Sequence, residues 1–430
     1  MIDSMSKKIL IVDSGLKNLG GHNYSYTNAV RTALSERGYD VDVFANRALE
    51  EGLARESGFR RVFSYGAYDF PPGKSRLNDL GVLYERSAVY ADDLARAFEH
   101  HKTQDYAMVF CHTVNDFELI GWNRFLSRNS FQGHLMILQR QTPGFTTCSG
   151  WKTRLHPFWR IKPQYLKAIR AKLGDRFVLV TDSEPLSMDF ARIYRSRITT
   201  LPIPINGIAD SQGHALAASN GICERYGLVR DGRISVGYMG DARESKGFFL
   251  LPELIRRIPA DVMENLRFVI QCPPAASGPD NGSPAPGYAE LKAQALETGE
   301  GVKLIPERLS EADYAELLGN LDVVLIPYCH ENYATATSGI FAEALALSKP
   351  VVVPTGTWMA SELRKSGGGV EFKMGSAEDL TAGVVETIAR YDELKAKASQ
   401  FMPSWNAFHN AGTLADMLLK ECNLPARASL

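Results

Sequence analysis

The stretch Leu321–Pro354, LDVVLIPYCHENYATATSGIFAEALALSKPVVVP, decides the fold class of this chain. The apolar run Leu321–Pro327 predicts a buried strand, and a loop of small polar residues follows it. A helix is expected to open near Ser338, and Pro350–Val353 predicts a second buried strand. A strand, a helix and another buried strand in this order indicate a doubly wound α/β sheet.

The loop between these two strands has the composition of a phosphate site. Thr335, Thr337 and Ser338 supply hydroxyl groups. Gly339 lets a ligand approach the backbone, and the first N–H groups of a helix favour an anion. Glu343 lies beyond the first helical turn, where a carboxylate can face a neutral hydroxylated group such as a ribose. The alternative is ordinary helix capping followed by an exposed glutamate.

The second half of this stretch resembles the donor-site motif of family 4 retaining glycosyltransferases. The family pattern is Glu, seven residues, Glu, then Ala-Leu/Met-Ala, two variable residues and Pro-Val-Val, and EALALSKPVV follows it from Glu343 onward. Thr335 stands where the family has its first acid, which contacts the transferred sugar, and the nearest upstream acid is Glu331. The resemblance implies that Thr335, Ser338, Gly339 and Glu343 line the donor site.

Length and composition indicate a globular protein of two domains. The chain has 430 residues, enough for two cores of about 200 residues each. Its net charge of −1 argues against a nucleic-acid partner, because proteins that bind the phosphate backbone of nucleic acids carry an excess of positive charge. Six scattered cysteines without a CxxC pair indicate neither a disulfide framework nor a zinc site. No apolar run is long enough for export or for crossing a membrane, so we expect a cytoplasmic protein.

The beginning of the chain predicts a βαβ unit with a glycine-containing loop. The strand Lys8–Asp13 precedes that loop, and a helix and the strand Asp40–Ala45 follow it. Such a loop lies at the carboxyl edge of a parallel sheet, where ligands bind. It also resembles the family's N-terminal Gly-Gly loop, which lies against the donor phosphates, although tight turns need glycine for structural reasons as well. The candidates are Gly20 and Gly21 for donor binding, and His22 and Asn23 for an acceptor or anion.

Two other polar side chains follow predicted strands of the first half. His112 follows the strand Asp105–Cys111 and is a catalytic candidate that could contact the transferred sugar or the acceptor, with a structural role as the alternative. Arg140 follows the strand His134–Leu138, near the place where the family often has a histidine. Arginine cannot act as a base at neutral pH, but it can bind a phosphate or an acidic sugar. A structural salt bridge is the equal alternative for Arg140.

The stretch Trp151–Arg176 carries a local excess of positive charge, with eight Lys or Arg residues against one Asp. Within it, Lys167, Arg170 and Lys172 flank an apolar helix face. This pattern favours contact with an anionic membrane surface or with an anionic, lipid-linked acceptor. The alternative is a surface helix that docks on its own domain by the same apolar face.

A polar, glycine-containing segment after several prolines marks a hinge near residue 205. We expect a first Rossmann-like, acceptor-side domain over residues 1–205 and a second, nucleotide-sugar-binding domain over residues 206–402. The tail 403–430 has helical spacing, and the resemblance implies that it crosses back to the first domain.

The second half contains another phosphate-binding candidate, the loop Gly240–Gly247. Arg243 and Lys246 can neutralise a diphosphate leaving group as its negative charge develops. The loop resembles the family's G-R-x-x-x-x-K-G loop, although Asp241 stands where the family has its arginine. The loop after the strand Val302–Ile305 resembles the segment that stacks on the nucleobase, which makes Pro306 and Leu309 donor candidates.

Taken over most of the chain, the resemblance implies the GT-B fold, two Rossmann-like doubly wound domains facing a central cleft. It also implies a retaining glycosyltransferase that needs no metal or other cofactor. Such an enzyme moves a sugar from a nucleoside-diphosphate sugar to a hydroxyl of a glycan, a glycolipid or another acceptor, typically in polysaccharide assembly. Two alternatives stay open, a nucleotide-sugar epimerase and a catalytically silent nucleotide or glycan binder. Thr335 and Asp241 favour the silent binder, whereas Lys246 and Glu343 speak against it.

Overall fold

The computed structural model describes residues 8–19, 22–67, 69, 76–100, 106–142, 161–205, 221–228, 230–273 and 286–426. The chain divides into two compact units. Unit 1 comprises Met1–Pro204 together with Asn410–Leu430, and unit 2 comprises Ile205–His409. Among the described helices, none is long and apolar enough to span a membrane.

Unit 1 is built on a parallel sheet with helices around it. Its strands are β1 (Lys8–Asp13), β2 (Asp40–Asn46), β3 (Arg60–Phe63), β4 (Tyr106–Cys111), β5 (His134–Gln139), β6 (Phe177–Thr181) and β7 (Thr199–Thr200). Its helices before the hinge are α1 (His22–Ser35), α2 (Glu51–Ser57), α3 (Arg76–His100), α4 (Asp116–Arg128), α5 (Ile161–Leu173) and α6 (Glu184–Tyr194). The strand order is β3-β2-β1-β4-β5-β6-β7, and all pairs are parallel.

Both faces of this sheet are covered, which explains the continuous apolar runs of its strands. In β1, Leu10 belongs to a core cluster that includes Phe44, Val109 and residues of α3 and α4. Its neighbours Ile9 and Ile11 belong to a second cluster, together with residues of α1. Alternate residues of a strand point to opposite faces, so two core layers enclose the sheet.

Unit 2 repeats this architecture. Its strands are β8 (Ile234–Tyr238), β9 (Leu266–Gln271), β10 (Val302–Ile305), β11 (Val323–Leu325), β12 (Val351–Pro354) and β13 (Gly369–Phe372). Its helices are α7 (Ile222–Arg225), α8 (Leu251–Arg257), α9 (Ala260–Met263), α10 (Tyr288–Thr298), α11 (Glu311–Asn320), α12 (Gly339–Ala346), α13 (Trp358–Ser366), α14 (Ala377–Ala389) and α15 (Tyr391–Phe408). The strand order is β10-β9-β8-β11-β12-β13, again with parallel pairs.

The stretch that decides the fold forms the elements that its pattern predicts. β11 and β12 are buried and pair with each other, and α12 lies between them in the chain. Ser338 is the N-cap of α12, because its side-chain oxygen accepts a hydrogen bond from Phe341 N at 3.3 Å. A short 3₁₀ turn, Glu331–Ala334, occupies part of the loop before the cap.

The last helix, α16 (Ala411–Glu421), packs on α1 within unit 1. Leu414 and Leu418 are fully buried and belong to the same cluster as Ile9 and Ile11. The guanidinium of Arg37 donates to Asp416 at 2.5 Å and to the carbonyl oxygen of Gly412 at 2.7 Å. The end of the chain therefore completes one core layer of unit 1.

Candidate functional site

The candidate donor site lies where the strand order of unit 2 reverses. The chain runs from β8 outward to β10 and then returns to β11, which pairs with β8 on its other side. Loops leaving the carboxyl ends of two such strands diverge and open a crevice in which α/β proteins bind ligands. The predicted loop Gly240–Gly247 follows β8, and the predicted loop with Thr335 and Ser338 follows β11.

Two glycines fix the path of the loop after β8. Gly247 has φ +70°, and a β-carbon at this position would collide with the carbonyl oxygen of Pro327. This close approach holds the loop against the chain after β11, where Cys329 N donates to Ser245 O at 2.9 Å. Gly240 has φ +117° and donates its N–H to Gln271 Oε1 at 2.9 Å. Glycine is needed at both positions because other residues rarely adopt positive φ.

Lys246 lies beside Tyr328 and Gly240, at the carboxyl end of β8. Its Nζ is 5.8 Å from the ring centroid of Tyr328, and a β-carbon added at Gly240 would lie 2.7 Å from that Nζ. The same added atom would lie 3.5 Å from Ile340 Cδ1, so Lys246 and the first turn of α12 meet at Gly240. Burial, and then the positive charge of Arg243, lower the pKa of Lys246 to about 8. An anion in the crevice would favour the charged ammonium.

Asp241 lies between two guanidinium groups. Arg243 Nη2 is 3.2 Å from Asp241 Oδ2, and Arg308 Nη1 is 3.8 Å from Asp241 Oδ1. Asp241 therefore contacts Arg243 from its own loop and Arg308 from the loop after β10. This contact also brings the predicted segment Pro306–Leu309 to the same edge of the sheet. Arg308 was not predicted as a site residue, although it lies inside that segment.

The start of α12 adds hydroxyl groups and open backbone. Ser338 is buried, and its hydroxyl lies 3.4 Å from Tyr328 Oη, to which it donates a hydrogen bond. Thr335 is also buried, and its N–H donates to Asn332 O at 3.2 Å. Gly339 is exposed, and no atom lies within 4 Å of a β-carbon placed there. Space therefore remains at the first N–H groups of the helix.

Glu343 is held by Tyr314, a residue that was not predicted to belong to the site. Tyr314 Oη, from α11, donates to Glu343 Oε2 at 2.5 Å. Burial raises the pKa of Glu343 to about 7, and the hydrogen bond from Tyr314 partly offsets this effect. The tyrosine fixes one carboxylate oxygen, and the pattern YAELL around Tyr314 carries no signal for this role.

The strand order of unit 1 reverses between β1 and β4, and a buried polar cluster occupies that point. His112 Nε2 lies 2.8 Å from Thr27 Oγ1 and 3.4 Å from Asp13 Oδ2. Asp13 is fully buried, which raises its pKa to about 7. His112 is 1% exposed, and burial lowers its pKa well below the usual range. The imidazole is therefore neutral and engaged with its own unit.

A second buried carboxyl lies beside this cluster. The hydroxyl of Ser14 donates to Glu118 Oε1, and Asn115 N donates to Glu118 Oε2 at 2.7 Å. Asn115 and Glu118 form the capping box of α4. Burial raises the pKa of Glu118 to about 8. This carboxyl joins the end of β1 to the start of α4.

The other candidates of unit 1 are placed as follows. Arg140 lies 4.4 Å from the ring centroid of Tyr26, and its Nε is 3.4 Å from Asp182 Oδ2, the geometry of the structural ion pair that was its alternative. Asn23 is half-buried in α1, and a β-carbon at Gly15 would collide with its amide. His22 begins α1. Gly20 and Gly21 lie outside the described residues.

The basic stretch is described only from residue 161 onward. The apolar face of α5 packs into the core of unit 1, with Leu166 and Ile169 fully buried. Lys172 Nζ donates to Asn123 O at 2.7 Å, and Lys167 Nζ lies 6.0 Å from the ring centroid of Tyr194. The alternative of a helix docked on its own domain therefore describes α5, whose apolar face is not available to a bilayer. Residues 151–160 lie outside the described part of the chain.

No protein-family model matches the sequence, and no curated protein matches it significantly. Several solved structures are similar over nearly the whole chain. Sucrose-phosphate synthase from Thermosynechococcus elongatus is 14% identical, with a TM-score of 0.64, over 96% of this chain and 97% of that one. HepE of Anabaena, solved with UDP-glucose, is 16% identical, with a TM-score of 0.61, over 97% and 99%.

WaaG, a glycosyltransferase involved in lipopolysaccharide biosynthesis, is 17% identical, with a TM-score of 0.59, over 95% of this chain and 99% of that one. These neighbours are GT-B glycosyltransferases. The predicted fold class, GT-B with two Rossmann-like doubly wound domains, is therefore confirmed. At these identities the likeness shows the fold alone.

Proposed function

We propose that this protein transfers a glycosyl group from a nucleoside-diphosphate sugar to a hydroxyl of a glycan, a glycolipid or another acceptor. The observation that carries the proposal is the meeting of Lys246 with the first turn of α12 at Gly240, in the crevice where the strand order of unit 2 reverses. The UDP-glucose bound by HepE supports a nucleotide sugar as the donor class. The same proposal takes the donor to be the only co-substrate, without a metal or another cofactor.

The charges of the crevice match a diphosphate. Around Asp241, the side chains of Lys246, Arg243 and Arg308 supply three cations against this one carboxylate, an excess of two positive charges among these four groups. The diphosphate of a nucleotide sugar carries roughly two negative charges, and departure of the sugar adds to them. Lys246 and Arg243 stabilise that leaving group, and the open N–H groups at Gly339 bind a phosphate oxygen.

The remaining donor contacts follow from the same geometry. Tyr314 fixes one oxygen of Glu343 and leaves the other to accept a hydrogen bond from a ribose hydroxyl. Pro306 and Leu309 lie on either side of Arg308 in the chain and form the base pocket. Transfer retains the anomeric configuration, with the leaving phosphate helping to deprotonate the acceptor. Thr335 offers a hydroxyl where family 4 has a carboxylate, so sugar recognition here rests on neutral hydrogen bonding.

The acceptor in this proposal is a glycan or a glycolipid. Polysaccharide or glycolipid assembly is supported by the lipopolysaccharide role of WaaG. His112, Arg140, His22 and Asn23 remain the acceptor or anion candidates of unit 1, and residues 151–160 remain the candidate for contact with an anionic membrane surface. We place the reaction in the cytoplasm, because Cys111, Cys272 and Cys422 are buried free thiols, as in proteins of reducing compartments.

The test combines binding with product analysis. Thermal stabilisation by a panel of nucleoside diphosphates should single out one base, since a ligand at a hundred times its dissociation constant adds about 2.7 kcal/mol to the stability of the fold. The matching nucleotide sugars are then incubated with glycan and glycolipid acceptors. Lys246→Ala should lower turnover tenfold to about a thousandfold, whereas Lys292→Ala, an exposed lysine of α10, should leave it unchanged.

The products separate this proposal from its rivals. A transferred sugar supports it, and an epimerised donor would assign an epimerase instead. Binding of a nucleotide without transfer to any acceptor would favour the silent binder, to which Thr335 and Asp241 already point. A folded sample that binds no nucleotide would contradict the donor site itself.

A further inference from the structure

Unit 2 contains a cavity of about 250 Å³ at the amino edge of its sheet, the edge opposite the candidate donor site. It opens beside the first residues of β8, and Asp322, just before β11, lies in its wall. A strand of five residues spans about 15 Å, so the cavity and the donor crevice lie at opposite ends of the same strand pair. The cavity takes no part in the function proposed above.

The walls of this cavity carry positive charge. Arg230 and Arg233 line it, and Arg233 is neutralised by Asp231, whose Oδ2 lies 2.9 Å from Arg233 Nε. Arg230 is exposed, and no hydrogen bond or ion pair joins its guanidinium to another residue in the part of the chain that the structure describes. Asp322 is the acidic residue of the lining. Its Oδ2 accepts a hydrogen bond from Ser235 N at 2.9 Å.

Two lysines beside the cavity increase this excess. Lys349 Nζ donates to the carbonyl oxygens of Gly319 and Leu321, at 2.7 and 2.6 Å, and Lys395 Nζ donates to Ser348 O at 2.8 Å. Each ammonium keeps at least one N–H beyond these bonds. Burial lowers the pKa of Lys349 to about 8, and the charges of Lys395 and Arg230 add to this effect. Arg230, Lys349 and Lys395 therefore repel one another, and Asp322 compensates only one of the three.

The rest of the lining is suited to the body of a small molecule. Leu228 and Ile234, both partly exposed, contribute apolar surface, while Ser235, Asn320 and Tyr391 contribute polar groups. The volume lies below the range of about 300–1,000 Å³ that is typical of sites for drug-sized ligands. The occupant must therefore be small.

We propose that this cavity is a second ligand site, which binds a small phosphate monoester through Arg230, while the charges of Lys349 and Lys395 behind the cavity wall add to the attraction. A phosphate monoester carries roughly two negative charges, which match the two that Asp322 leaves uncompensated. The sugar or other body of the ligand lies on the apolar and hydroxylated walls. The ligand is bound independently of the nucleotide sugar.

Calorimetric titration of the full-length protein at low salt tests this site, with glucose 6-phosphate and inorganic phosphate as probes and glucose as the neutral control. Arg230→Ala should weaken glucose 6-phosphate binding about tenfold or more, because a charged hydrogen bond is lost. Asp322→Asn keeps an acceptor for Ser235 N and removes the opposing charge, so it should tighten binding severalfold. Arg364→Ala, an exposed arginine outside the cavity, is the matched control and should change nothing.

Lys246→Ala distinguishes the two sites of unit 2, because it disables the proposed diphosphate site and leaves the cavity intact. Binding of glucose 6-phosphate that persists in Lys246→Ala and weakens in Arg230→Ala supports the proposal. Inorganic phosphate that binds as tightly as glucose 6-phosphate supports it too and places recognition in the phosphate alone. Absence of binding up to about 10 mM, equal binding of glucose, or loss in Lys246→Ala but not in Arg230→Ala would overturn it.

Discussion

Lys246 is expected to couple donor binding to pH. Its pKa is lowered to about 8, and only the protonated ammonium attracts a diphosphate. The dissociation constant of a nucleoside diphosphate should therefore rise about tenfold per pH unit above pH 8. Lys246→Arg stays charged throughout this range and should remove the dependence. Calorimetric titrations between about pH 7 and pH 9 compare the two proteins, and parallel curves would assign the slope to another group.

Tyr314 is expected to act on the nucleotide through Glu343, as a positioning residue. Tyr314→Phe removes the hydrogen bond that fixes Glu343 Oε2, so a ribonucleoside diphosphate should bind about fivefold more weakly. A 2′-deoxyribonucleoside diphosphate has one ribose hydroxyl fewer, and its affinity should fall less. Equilibrium binding of both nucleotides to both proteins measures the difference. An equal loss for the two would show that Tyr314 supports the fold of α11 and not ribose recognition.

Glu118 is expected to make unit 1 less stable as the pH rises. Its pKa is about 8 in the folded state and about 4.5 in the unfolded chain, so between these values the folded state binds more protons. The free energy of unfolding should then fall with pH in this window, by up to about 1.4 kcal/mol per pH unit. His112 acts in the opposite direction only below about pH 6.5. Denaturation in urea between about pH 6.5 and pH 8 should show the slope in the wild type and a flatter one in Glu118→Gln.

At the scale of elements, α16 is expected to contribute directly to the stability of unit 1. Leu418 is fully buried in the core layer that contains Ile9 and Ile11, so Leu418→Ala should cost about 2–5 kcal/mol. Lys420 is exposed on the same helix, and Lys420→Ala should change stability by less than about 0.5 kcal/mol. Urea denaturation of both variants tests this. Similar small losses would mean that α16 adds little to the core.

Elements marked by an apolar run or a strong cap could be predicted from the sequence, whereas a strand that begins with glycines could not. β11, α12 and the Ser338 cap follow from local pattern. β13 does not follow from local pattern, because the run Gly367–Gly369 at its start is typical of a turn. Gly367 ends α13 and has φ +65°. Gly369, in contrast, lies in β13 and pairs with Val351, and a β-carbon at Gly369 would collide with the carbonyl oxygen of Val351.

In the candidate site too, local motifs could be read from the sequence, but contacts between distant residues could not. Lys246 and Glu343 could be proposed because each lies in a motif with fixed local spacing. Arg308 and Tyr314 were missed, because strand order and not sequence distance brings them to Asp241 and Glu343. The buried state of His112 and the Arg140–Asp182 ion pair likewise depend on packing across strands, which a single sequence does not display.

At the scale of the whole molecule, the two units share one feature of topology, a reversal of strand order at the first strand of each sheet. In each, the first strand pairs with strands from both halves of the sheet, β1 with β2 and β4, and β8 with β9 and β11. At the reversal point of unit 1, burial favours the neutral forms of Asp13 and His112, and Arg140 beside them is paired with Asp182, whereas Arg243, Arg308 and Lys246 in unit 2 face the single carboxylate of Asp241. Anion binding is therefore expected to belong mainly to unit 2, although both reversal points have the same topology.

If anion binding belongs to unit 2, a nucleotide should stabilise unit 2 and not unit 1 against heat. Each unit has its own core, so calorimetry should resolve two unfolding transitions. A nucleoside diphosphate at a hundred times its dissociation constant should raise the transition of unit 2, by about 2.7 kcal/mol of added stability, and leave the other in place. Leu418→Ala should lower only the transition of unit 1 and so identifies it. A ligand that raised both transitions would contradict the assignment of binding to unit 2.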